Sequence, residues 1–155
     1  MPNRRFDWHE HVKNVEGEYR AARIALDRLI SLSVTSPHLF ILDKKSRRYL
    51  RAAGNNLEGT YLVRLFAAFE AALRSYDRAR HNDPFRDEKA STLIDTIGGR
   101  RGQGISSKIR EGAHAVRRVR NYWAHENTEI PEKMTLTRAR AILESFLAWL
   151  PEEWD

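Results

Sequence analysis

The chain has 155 residues, 41% hydrophobic, 31% charged and 10% aromatic, with no cysteine and a formal charge of +6. That length suits one core, so a single domain over 1–155 is expected; the missing cysteines exclude disulfides, thiolate chemistry and sulfur-ligated zinc. No apolar run approaches the roughly 20 residues of a membrane span, and the charged opening MPNRRFDWHEH has no secretory-signal core, so a soluble, cytoplasmic protein is expected.

In chain order, the first predicted element is a long helix over 5–32. Trp8, Val12, Val15, Tyr19, Ala22, Leu26 and Ile30 recur at steps of three and four, while Glu10, Lys13, Glu16, Arg20 and Asp27 take the outer face. Residues 33–54 break the pattern at Ser36-Pro37, and KKSRRYLRAAG reads as one further short basic helix. A second major helix, 57–80, stacks Leu62, Leu65, Phe66, Phe69, Leu73 and Tyr76 as the central core element. The turn HNDPF leads to a short helix near 87–97 carrying Leu93, Ile94 and Ile97, and the glycines of GGRRGQG at 98–104 make a loop. Ser106 or Ser107 can cap a third major helix, 106–126, and Thr135 or Thr137 opens a last one, 136–150, that packs Leu136, Leu143, Phe146, Leu147 and Leu150 and closes at Pro151. No strand alternation or internal repeat is present, so the expected fold is all-α, an up-and-down bundle of four to five main helices.

The third helix holds an anomaly. At about 100° per residue from Ile109, Val116 falls near −20°, Trp123 near −40° and Ala113 near 40°, and Arg120 falls among them near 20°. An unpaired guanidinium in a buried stripe is costly, so something must receive it. Three readings are open. Arg120 can pair inside the core, with Glu70 the obvious acid because it flanks the stripe of the second helix. The stripe can instead be a subunit interface, the small Gly112, Ala113 and Ala124 letting another helix approach. Or that interface can also hold a polyanion, to which the 21 arginines among 27 basic residues are suited, because Arg grips phosphate in a bidentate fork and stacks on bases. On the same helix Asn121, His114 and His125 fall on the polar side, near about 120°, 140° and 160°.

Arg120 to His125, RNYWAH, resembles the R-x4-6-H motif of the HEPN family, small all-α bundles that are commonly two-fold dimers and in many cases metal-independent endoribonucleases of toxin and defence systems. Other Arg-to-His spacings occur in so arginine-rich a chain, Arg4 to His9 among them; this one lies near a helix C-terminus, has its Arg in an apolar stripe and carries the polar Asn121 next to it. The helices LVRLFAAFEAALRSY and LTRARAILESFLAWLP are similar to family elements in order and length over roughly 57–150. The resemblance implies a HEPN-like fold, catalytic roles for Arg120, His125 and Asn121, RNA as substrate, a homodimer, no cofactor or metal, and a possible antitoxin or other neutralising protein. Some family toxins carry a tyrosine two places after the histidine for modification by a partner; here that place is Asn127.

The chemistry fits the residue types. Imidazole, which ordinarily titrates near pH 6.5, suits proton transfer at neutral pH, and a guanidinium, permanently charged, suits the developing phosphorane. On one continuous helix Arg120 and His125 diverge by about 140°, so a single chain presents them together only if the helix unwinds near 125, whereas a dimer can assemble one cleft from two copies. Arg117, Arg118, Arg100 and Arg101 are candidate RNA contacts. Rival readings are a non-catalytic helical dimer that binds nucleotide, RNA or a partner protein, and a DNA-binding regulator, for which no convincing helix-turn-helix is present. His9 and His11 lie about 200° apart on a helix, too divergent for a shared metal, and GGRRGQGISSK lacks the strand and lysine placement of a phosphate loop.

Overall fold

The computed structural model describes residues 4–39, 43–97, 104–125 and 131–154. Among these the chain is helical and contains no strand: α1 Arg5–Thr35, α2 Lys44–His81, α3 Ala90–Ile97, α4 Ser107–Ala124 and α5 Leu136–Leu147, with a short 3₁₀ turn at Pro37–Leu39. None of the helices is long and apolar enough to cross a membrane.

Four helices close a ring. α1 packs on α2, α2 on α4, α4 on α5 and α5 back on α1, while α3 lies over α2 and α4. Side-chain pairings give the directions. Arg120 of α4 reaches Glu70 of α2 while Trp123, further along, sits against Gly59, so these two helices are antiparallel. Glu16 of α1 meets Thr137 of α5 while Arg5 meets Ala148, again antiparallel. The result is an up-down-up-down bundle with α3 in the α2–α4 connection. Phe66, Phe69 and Phe146 fill its centre fully buried, the last two edge to face at 5.3 Å. Each stripe read from the sequence supplies this core, apart from Tyr19, Tyr76, Ile97 and Ile109, which lie at its edge, the outer part of the α1 stripe, and Trp123 and Ala124 at the end of α4, which are exposed.

Helix starts follow the expected chemistry. Ser106 Oγ accepts from Ile109 N and Thr135 Oγ1 from Arg138 N, each satisfying a donor that the first turn leaves open. Glu58 of α2 does the same from outside, accepting from Leu136 N at 2.9 Å. α5 ends at Leu147, three residues before the expected boundary. Leu150 precedes Pro151 and so leaves the helical region, and the chain tightens into bonds from Trp149 N to Phe146 O and Leu150 N to Leu147 O. Arg5 takes the freed carbonyls of Ala148 and Leu150 at 3.0 and 2.8 Å, a cation where the helix dipole is negative.

Two expectations need correction. The basic segment KKSRRYLRAAG is no separate helix but the first three turns of α2, which runs unbroken through Gly54-Asn55-Asn56. A glycine inside a helix costs about 1 kcal/mol, but here α1 lies alongside: Ile30 packs where a Cβ would stand, and Arg23 donates to the Gly54 carbonyl at 3.1 Å. Glu16, expected on the outer face, is buried at 3% exposure. It accepts from Thr137 Oγ1 at 2.6 Å and Arg20 at 3.0 Å, and Arg140 Nε lies 2.7 Å away. Burial pushes its carboxyl up, but the Thr137 hydroxyl and the two guanidiniums outweigh that and hold it below the usual range.

Because α5 begins level with Glu16 and Glu58, the four-helix body ends there. α1 and α2 continue past it as a two-helix arm, residues 17–35 against 44–57, about 27 Å long. Gly54 is the only buried residue of this arm among those described.

Candidate functional site

Arg120 sits at the open end of the body, one turn before α4 stops. Its guanidinium lies over the Phe66 ring at 5.1 Å, donates through Nη2 to Glu70 Oε2 at 2.9 Å and through Nη1 to Asn121 Oδ1 at 3.1 Å. The first of the three readings of Arg120 is therefore what the geometry shows within the chain: Glu70 receives it. Glu70 is shared, since Arg74 also reaches it at 2.7 Å and in turn pairs with Asp87. The Arg120 side chain keeps 23% exposure, and among the described residues only two of its five N–H donors are engaged. It is thus aimed and partly neutralised, with donors remaining for a further acceptor.

His125 is the residue at which α4 ends. Its backbone N–H still bonds Asn121 O at 3.0 Å, but its φ of −136° and ψ of 149° are extended, so the side chain leaves the direction it would have on a continued helix. The unwinding that a single chain needs in order to bring Arg120 and His125 together occurs at that position. His125 is exposed, and no described residue hydrogen-bonds its imidazole. Residues 126–130, Asn127 among them, lie outside the described residues.

The second reading of the stripe changes. Gly112 and Ala113 do admit a helix closely, but it is α5 of the same chain: a Cβ on Gly112 would come within 2.9 Å of Ile142 Cγ2, and Ala113 is fully buried. The middle of that stripe is therefore occupied, and its exposed described residues are Ala124 and Trp123, the latter 40% exposed, in the C-terminal turn. Trp123 was expected in the buried stripe. Its indole rests on the bare backbone of Gly59, where a Cβ would overlap the ring, and both residues border a cleft of about 400 Å³ between α2, α4 and residues 131–135.

Of the candidate RNA contacts, Arg117 is half-buried on α4 with its Nε shielded from solvent, and Arg118 is exposed on the neighbouring face. Arg100 and Arg101 lie outside the described residues. His114, grouped with His125 on the polar face, is held by Asp95 of α3 at 2.9 Å, away from the open end. The ring of His11 packs edge-on against Trp8, and burial pushes the His9 imidazole below its ordinary value, with Glu144 opposing and Arg5 adding to the shift. No family model, curated protein or solved structure matches the chain.

Proposed function

We propose that the protein is a metal-independent endoribonuclease of HEPN type, working as a homodimer and serving as a toxin or defence effector. The observation that carries this reading is a partly exposed arginine held by Glu70 and Asn121, five residues before an exposed imidazole that no described residue hydrogen-bonds, at the residue where the helix unwinds. In a dimer two such helix ends meet at one cleft. One His125 takes the proton of the ribose 2′-hydroxyl as its oxygen attacks phosphorus; the Arg120 groups stabilise the charge on the phosphorane; the second His125 protonates the departing 5′-oxygen as the P–O5′ bond breaks. The products are a 2′,3′-cyclic phosphate and a 5′-hydroxyl. Asn121, bonded to Arg120, orients the fork.

A second reading has its own support. The Glu70 pair supplies Arg120 with a counter-ion in the same chain, which suits a non-catalytic helical dimer that binds nucleotide, RNA or a partner protein. Incubation of the purified protein with RNA in EDTA separates the two. Wild type should cut and leave the stated ends, with His125→Ala slower by about 10²–10⁴-fold. Cutting no better than that variant, or only with Mg²⁺, overturns the mechanism; RNA binding without cleavage leaves the second reading.

A further inference from the structure

The first two turns of α2 concentrate charge of one sign. Elsewhere several pairs of charges one turn apart on a helix are of opposite sign and joined, as in Glu16–Arg20, Arg23–Asp27, Glu70–Arg74 and Arg140–Glu144. At 44–51, KKSRRYLR places five cations in eight positions, with Lys44, Arg47, Arg48 and Arg51 all at like-charge spacings of three or four. Such pairs repel, and cations in the first turns also oppose the helix dipole. Among the described residues no carboxylate lies within ion-pair distance of Lys44, Lys45, Arg48 or Arg51. Asp43, the one acid beside them, is committed to the helix cap, where it accepts from Ser46 N at 2.6 Å.

Charge is concentrated on this arm as a whole. Eight basic residues face three acids between 17 and 57, so five of the six net charges of the chain reside there. The five cations of 44–51 border one concavity, and Tyr49 stands among them 55% exposed, with Lys45 Nζ at 5.8 Å and Arg48 Cζ at 5.5 Å from its ring centre. Solubility would explain charge; it would not explain an exposed aromatic ring set among Lys44, Lys45, Arg48 and Arg51, none of which has a carboxylate partner among the described residues. Cations that track phosphates beside a ring on which an unpaired base can stack are the elements of single-strand recognition.

We propose that the arm tip binds single-stranded RNA, with Lys44, Lys45, Arg48 and Arg51 on its phosphates and one base on Tyr49. The choice of RNA as the polyanion rests on the reading of Arg120 and His125 given above. The site lies on the same helix as Gly59, eleven residues and about 16 Å from the level of α4's end, so the strand it holds extends toward the motif.

Binding is measured by fluorescence anisotropy with a labelled, unstructured RNA in EDTA, in a His125→Ala background so that no strand is cut. The combined variant Lys44→Ser, Lys45→Ser, Arg48→Ser, Arg51→Ser should lose at least about tenfold in affinity, and its slope of log affinity against log salt should shrink by about 3, near 0.7 per phosphate contact. Tyr49→Ala should weaken binding by about fivefold or more with the slope unchanged. All five side chains are exposed, and Tyr49→Ala tests the site without altering charge. Either variant binding like its parent overturns the proposal, as does equal binding of duplex RNA or of vesicles of anionic lipid. Should wild type bind in this way and cut nothing, the cleavage reading fails while this one stands.

Discussion

The two ends of the bundle are built differently. At the closed end the outermost helices and the chain's terminal segments satisfy one another: Arg5 holds the last carbonyls beyond α5, Trp154 donates to Ser75 at 3.0 Å and stacks edge-on against Tyr76, and both Trp8 and Trp154 are buried. At the open end α4 stops, Trp123 and His125 are exposed, and α1 and α2 run on alone with Ile24 and Val34 mostly in solvent. The difference separates two tasks. Apolar burial and satisfied backbone groups supply stability at one pole, while the other combines the internal Arg120–Glu70 pair with side chains left in solvent, His125 and part of Trp123.

Substitutions can break that comparison or sharpen it. The largest effect is expected from Glu70→Gln, which leaves Arg120 and Arg74 facing a neutral amide; about 2 kcal/mol should be lost, lowering the melting temperature by about 4–8 °C. Its second readout concerns the site. If Glu70 aims Arg120 for chemistry, cleavage per folded molecule falls as well; if cleavage is unchanged, the pair is structural only. At the closed end Trp154→Phe keeps most of the ring but removes the bond to Ser75, for about 1 kcal/mol and 2–4 °C, with RNA cleavage and binding untouched. A change in cleavage there would mean that the poles are coupled.

The smallest effect is a pH dependence from His9. Burial, its leading cause, depresses the folded-state value below the ordinary 6.5, so the unfolded chain takes up the proton first. Stability from this residue is complete above about pH 6.5 and is lost as pH falls through that value toward the lower folded one. The stability difference between pH 7.5 and 5.5, read from melting curves, should be smaller in His9→Gln than in wild type. An unchanged gap would assign the acid sensitivity to other groups.

What the sequence shows of this fold depends on how local the determining interaction is. Ser106 and Thr135 announce α4 and α5 because capping acts within three residues. Phe66, Phe69 and Phe146 announce the core through periodicity alone. Gly54-Asn55-Asn56 reads as a break because the support for it, Ile30 and Arg23 on α1, lies over twenty residues away. Glu16 reads as solvent-facing for the same reason, since its partners Thr137 and Arg140 come from the last helix. At the site, Glu70 was identifiable as the acid flanking the core stripe, and its contact with Arg120 is present. That α5 occupies Gly112 was not legible, because a small residue in a helix shows that something approaches and not what.

One consequence follows from the way the closed end is tied. Arg5 N donates to Glu152 O at 2.9 Å and Arg4 pairs with Glu153 at 3.2 Å, so the first and last described residues are neighbours. A carrier, dye or affinity handle fused through either would sit on the pole opposite Arg120 and His125. Immobilised in that way, the molecule presents its basic arm outward to whatever flows past.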